Sequence, residues 1–206
     1  VKWKPQNYDG STGGLTTFRE GLRKSMNLIS VRMVQQDIAP AEQVKQTAKR
    51  MGINTDIRAV DAIALGTSEV YPLEMVAAYS ALSNKGVYSK PFAITKIEDR
   101  YGNVIKDYFP ERSEVLSEET AFLMTSMMQT VMDRGTGGSA RWKYKFNRPA
   151  AGKTGTTQAW SDAWFVGYTP QIAAGCWFGV DDFRVPLGPG QDGSRAASVS
   201  YTHLRA

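Results

Sequence analysis

The chain has 206 residues, 42% hydrophobic and 22% charged, which suits one globular domain and excludes disorder, collagen-like repeats and coiled coils. One cysteine, Cys176, and one histidine, His203, exclude an intramolecular disulfide and a multi-cysteine zinc site, and leave a histidine metal cluster or a Ser-His-Asp triad almost nothing to be built from. The net charge of +5 is too mild to argue for nucleic acid, and no metal or cofactor is expected.

No secretory signal is visible at Val1-Lys2-Trp3-Lys4. Thr17 and Glu20 have capping-box spacing and open a helix over residues 18–24 that ends near Ser25-Met26-Asn27. Leu28, Val31, Val34 and Ile38 then recur at helical spacing. Pro40 opens a further helix, with Val44, Ala48 and Met51 on one face and Gly52 as its stop. Pro72 begins an apolar helix through Leu82, closed by Asn84-Lys85-Gly86. Residues 92–97 and 104–108 flank Tyr101-Gly102-Asn103 and read as a hairpin. Ser117 is the N-cap of a long helix with Ala121, Met124, Met128 and Val131 on one face, ended by Gly135-Thr136-Gly137-Gly138.

Residues 141–148 interleave cations with Trp142, Tyr144 and Phe146. That period of two predicts an amphipathic edge strand in preference to a single-strand nucleic-acid surface. Strands follow over 149–157, 162–168 and 172–180, joined by turns too short for a parallel return. The uncharged run 163–180 therefore reads as two strands meeting near Pro170, with no membrane span. The predicted fold class is α+β, an antiparallel sheet packed with helices.

Two motifs lose on spacing or context. Gly152-Lys153-Thr154 is not a phosphate-binding loop, because Asn147 stands where that motif needs a glycine. The stretch from Gly188 to Gly193 matches a dinucleotide pattern literally, but too few residues follow for the rest of the unit, so it reads as a glycine-rich turn. Two other short elements gain meaning together. Ser25-Met26-Asn27 lies at a helix end, and Lys153-Thr154-Gly155-Thr156-Thr157 lies on a strand. An even step puts Lys153 and Gly155 on one face, so the strand can offer an ammonium, hydroxyls and backbone N–H groups to one extended substrate.

With these motifs the chain resembles the class A, bifunctional penicillin-binding proteins, whose family carries S-x-N and K-T-G elements. The segments around Glu20 to Asn27, Ala64 to Met75, Gly135-Thr136-Gly137, Ala151 to Thr157, Asp162 to Pro170 and Gly188-Pro189-Gly190 fit that family in the right order over residues 1–197. The resemblance implies a penicillin-binding, serine β-lactamase-like transpeptidase fold. It also implies peptidoglycan D,D-transpeptidation: acyl transfer from a D-Ala-D-Ala stem peptide to an amine acceptor, with β-lactam antibiotics as inhibitors. By the same resemblance Ser25, Asn27 and Lys153 are catalytic, and Thr154, Gly155, Thr156 and Thr157 bind substrate. Further expected are an upstream glycosyltransferase domain and an N-terminal anchor placing the protein on the extracytoplasmic face of the membrane.

The departures matter as much. No Ser or Thr stands three residues before any lysine, so the S-x-x-K nucleophile is expected upstream of Val1, and the chain is read as a fragment inactive alone. No E-x-x-L-N element is present, which favours transfer over β-lactamase hydrolysis. The alternative is a non-catalytic binding or sensor module of the same fold. Residues 198–206 lack the apolar helical face expected there and are set apart as an atypical tail, a sequence artefact.

Overall fold

The computed structural model describes residues 3–12, 14–182, 184–198 and 200. Its first helices are α1 (Phe18–Lys24) and α2 (Asn27–Gln35). As the capping spacing predicts, Thr17 Oγ1 accepts the Glu20 N–H at 3.2 Å. Ser25 ends α1 in the left-handed region at φ 55°, and the N–H groups of Ser25 and Met26 donate to Leu22 O and Gly21 O at 3.1 and 2.8 Å. That closure reverses the chain, so α2 begins at once and Ile29 packs on Gly21 with no space for a β-carbon.

Helix α2 stops at Gln35, short of Ile38, which is exposed. Asp37 turns left-handed at φ 54° and Ala39 N–H donates to Met33 O, because Pro40 disfavours helix in the residue before it. Helix α3 (Ala41–Arg50) follows, and Gly52 at φ 93° ends it as expected. Helix α4 (Pro72–Ser83) buries Ala77, Ala78, Ala81 and Leu82. Four short strands then form two separate antiparallel pairs, β1 (Val87–Ser89) with β4 (Arg112–Glu114) and β2 (Lys96–Glu98) with β3 (Val104–Asp107). The second pair is the expected hairpin, exposed along both strands.

Helix α5 (Glu118–Arg134) is the central pillar. Ser117 Oγ accepts the Thr120 N–H at its start, and Ala121, Met128, Val131 and Met132 are buried along it. It packs on α1 at one side and on the sheet at the other. That sheet is β5 (Ala151–Thr156), β6 (Asp162–Tyr168) and β7 (Ala173–Gly179), antiparallel in that order, with Lys153 opposite Val166 and Trp164 opposite Trp177. The uncharged run is thus two strands, and among the described residues no helix is long and apolar enough to cross a membrane. Phe165, fully buried, centres one core cluster with Met132, Ala140, Ala150, Ala163 and Ala197; Tyr168 and Met128 join a second under α4.

Residues 141–148 are not an edge strand. Ser139–Trp142 form a short helix, α6, and Lys145 turns left-handed at φ 57°. Arg141 imposes this: its guanidinium donates to the carbonyls of Phe146 and Arg148 and pairs with Asp133 at 3.0 Å, which curls the segment around a cation. The alternating aromatics therefore belong to a loop, with Trp142 exposed and Phe146 packed on the core. The glycine-rich stretch is a turn as expected. Asp192 then caps a π-helical turn over Gly193–Ala197 by accepting from the Ser194 and Arg195 N–H groups. The proposed tail boundary falls inside this packing: Ser198 is fully buried and its Oγ donates to Ser194 O. Residues 199 and 201–206 lie outside the described residues.

Candidate active site

Strand β5 rises out of the core. Ala151 and Gly152 are buried, Lys153 to Gly155 half-buried and Thr156 exposed. Across from it, the left-handed turn after α1 lifts Ser25 clear of both helices. The two meet: Lys153 Nζ donates to Ser25 Oγ at 2.8 Å and to Thr154 O at 2.7 Å, although the serine and the lysine are 128 positions apart. Burial pushes the Lys153 ammonium down from 10.5 to about 8, since a charge withdrawn from water loses hydration. The left-handed backbone at Ser25 costs about 1–3 kcal/mol in a non-glycine residue, and strain of that kind collects at functional sites.

The remaining expected residues divide. Asn27 opens α2 beside Ser25, but its carboxamide N–H donates to Gln6 O at 2.9 Å, and the bonds of Lys153 go to Ser25 and Thr154 instead. Thr154 Oγ1 donates to Thr136 Oγ1 at 2.7 Å. Thr156 Oγ1 accepts the Gly193 N–H at 3.1 Å, which leaves its own hydrogen available. Gly155 sits over Trp164, whose Cβ would lie 3.2 Å from an added β-carbon. Thr157 is drawn into the β5–β6 connection, where its hydroxyl accepts the Asp162 N–H at 2.8 Å and shares a hydrogen with Ser161 at 2.7 Å.

Two residues given no role in the site by the sequence reading support this geometry. Asn7, 6% exposed, accepts the Leu28 N–H at 3.0 Å through Oδ1 and donates to Ser11 O, so it caps α2 from 21 positions away. No pattern around α2 signals a cap that comes from another segment. Thr136 bridges Arg23 and Thr154; the sequence marked it only as part of the Gly135-Thr136-Gly137 segment, as a helix end and a family feature, with no contact assigned. A cavity of about 340 Å³, lined among others by Tyr8, Asp9, Leu15, Thr16 and Lys24, opens directly onto Ser25. Lys24 of this lining and Arg23 both pair with Glu20 and hold its carboxyl down at about 2. The arrangement joins a cation, a hydroxyl and an open strand bearing further hydroxyls. Those are the parts needed to bind a carboxylate and move a proton without histidine.

Residues 1–181 match the family described as the penicillin binding protein transpeptidase domain. Penicillin-binding protein 1A of Aquifex aeolicus is 39% identical over 195 residues, 95% of this chain and 26% of the relative. Penicillin-binding protein 2D of Bacillus subtilis is 34% identical over 185 residues, 87% of this chain and 26% of the relative. The chain thus spans about a quarter of the length of these curated relatives. The crystal structure of penicillin-binding protein 1A from Haemophilus influenzae aligns with a TM-score of 0.89 at 26% identity, covering 97% of this chain and 35% of that one. The PonA1 protein from Mycobacterium tuberculosis, solved with penicillin V, shares the fold at a TM-score of 0.80 and 24% identity, covering 96% and 57%. With the helices, the antiparallel sheet and the two motifs in place, the chain belongs to the penicillin-binding protein transpeptidase family, and its relatives put it with the class A members.

Proposed function

We propose that this chain is the C-terminal part of a class A transpeptidase domain that cross-links peptidoglycan stem peptides by serine-type acyl transfer. The observation that carries the reading is the 2.8 Å contact between Lys153 Nζ and Ser25 Oγ. The nucleophile is the serine of an S-x-x-K motif upstream of Val1, since no Ser or Thr precedes a lysine by three positions here. Its hydroxyl proton passes to the neutral lysine of that motif as its oxygen adds to the penultimate carbonyl of a D-Ala-D-Ala stem. When the C–N bond breaks, the departing D-alanine nitrogen takes the hydroxyl proton of Ser25, which the motif lysine replaces. An acceptor amine then attacks the acyl-enzyme by the reverse route.

Lys153 supports both halves of this traffic. Titrating near 8, it is mainly an ammonium at neutral pH, and a neighbouring cation keeps a second lysine neutral. By donating to Ser25 Oγ it leaves the serine's hydrogen free for the leaving group. Lys153, Thr154 and Thr156 form a charge-assisted seat for the terminal carboxylate of a stem peptide or a β-lactam. Gly155 lets the substrate close on the strand, and Thr157 forms the turn beyond it. The Thr156 N–H supplies one oxyanion donor, typically worth about 3 kcal/mol in the transition state. Asn27, held by Gln6, orients the substrate amide. By the same family reading, the intact protein carries a glycosyltransferase domain and a membrane anchor and works on the extracytoplasmic face.

Fluorescent penicillin tests the assignment. The chain alone should take no covalent label, and the chain extended upstream through S-x-x-K should take it. In the extended protein Lys153→Ala should cut labelling at least about a hundredfold, about 2.7 kcal/mol of activation free energy. Label on the chain alone, or undiminished label on the Lys153→Ala protein, overturns the reading.

A further inference from the structure

The loop after α5 ties the two halves of the site together. Thr136 N–H donates to Arg23 O at 3.2 Å, two residues before Ser25. On its other side, Thr136 Oγ1 accepts from Thr154 Oγ1 at 2.7 Å, one residue after Lys153. With the Lys153–Ser25 bond this closes a ring: Ser25, Arg23, Thr136, Thr154, Lys153 and back to Ser25. The flanking glycines make the approach feasible. A β-carbon at Gly135 would stand 2.6 Å from Arg23 O and 2.8 Å from Val131 Cα, and one at Gly137 would stand 3.0 Å from Met132 Sδ. Gly-Thr-Gly is therefore a backbone that can lie against α1 while presenting one hydroxyl to β5.

We propose that Thr136 is a positioning residue that locks the Ser25 turn to the Lys153 strand, keeping serine hydroxyl and lysine ammonium in proton-transfer register. The inference rests on the acyl-transfer reading above. Thr136 touches neither Ser25 nor Lys153; it acts through Arg23 and Thr154. The hydrogen of the contact comes from Thr154, so Thr136 serves the lock as an acceptor on the strand side and as a backbone donor on the α1 side. A ring held at both ends keeps Lys153 half-buried; cutting it lets water reach the ammonium.

Three variants decide this, Thr136→Val, Thr136→Ser and Thr136→Ala. Valine keeps the shape and deletes the acceptor, serine keeps the hydroxyl, and alanine replaces valine in every comparison if the valine protein does not fold. Two readouts are needed. The first is the acylation rate by fluorescent penicillin in the protein extended through S-x-x-K. The second is the Lys153 titration followed by NMR of its ε-methylene. Valine should slow acylation at least about tenfold, as misplacement of reacting groups does, and should move the Lys153 titration upward by roughly one pH unit. Serine should stay within about twofold of the parent in rate, with an unmoved titration. Equal losses in valine and serine, or an unmoved Lys153 titration in the valine protein, overturn the lock. Failure of the acyl-transfer reading shows itself separately, as normal labelling of Lys153→Ala.

Discussion

At the scale of the residue, one side chain concentrates the chemistry. Lys153 sits where β5 leaves the core, buried enough to lose hydration and exposed enough to meet Ser25. Its lowered titration has a signed consequence for stability. Between about pH 8 and 10.5 the unfolded chain keeps a proton that the folded chain releases, so folding stability rises with pH across that window. Below about 8 both states are protonated and the full cost of burying the charge remains. Lys153→Met has no such group, so urea unfolding should show the parent gaining stability relative to Lys153→Met as pH rises from 8 to 10.5. A difference between the two proteins that stays flat over that range would rule out the depressed titration. Ser25 adds the second residue-scale feature: its positive φ is tolerated because the turn satisfies the end of α1 while aiming the hydroxyl outward.

Among the elements, the starts of α1, α3, α4 and α5 were written locally and are found as read. Thr17, Ser117, Pro40 and Pro72 each act on the first turn of the helix beside them, so their meaning travels with four or five residues. Ser117→Ala should therefore cost about 1 kcal/mol in chemical unfolding, the usual value of a lost side-chain cap. Helix α2 differs, because Asn7 caps it from a separate segment. Asn7→Ala leaves the Leu28 N–H without its acceptor and should cost about 1–2 kcal/mol, while Asn7→Asp, which keeps the oxygen, should cost less. Residues 141–148 mark the limit of local reading. Alternation of cations and aromatics fits a pleated strand, yet Arg141 finds Asp133 and two carbonyls and winds the segment around itself. Hydrogen bonds to a charged donor outweigh a period-two preference that no neighbouring strand was present to reward.

For the molecule as a whole, α5 and the three-stranded sheet are the frame against which the site is set. Phe165 on the middle strand has no exposed surface and joins Met132 of α5 to Ala197 of the π-helical turn. Phe165→Ala should cost about 3–5 kcal/mol, about a fifth or more of the stability of an ordinary domain, and should be read as a lowered thermal midpoint. A change below about 1 kcal/mol would mean that this cluster does not hold the sheet to α5.

The sequence by itself determined the order and type of most elements, the antiparallel sheet, the glycine turns and the two motifs, because each depends on spacing or on backbone preferences within a few residues. It also carried the family resemblance, which adds up over the whole length. Only the tertiary structure decided which groups meet. That Lys153 reaches Ser25, that Asn27 turns to Gln6, that Thr157 is kept in its turn, and that Asn7 and Thr136 brace the site all depend on contacts between distant segments. Such contacts follow from how helices and strands pack their apolar faces, and packing is a property of the folded whole.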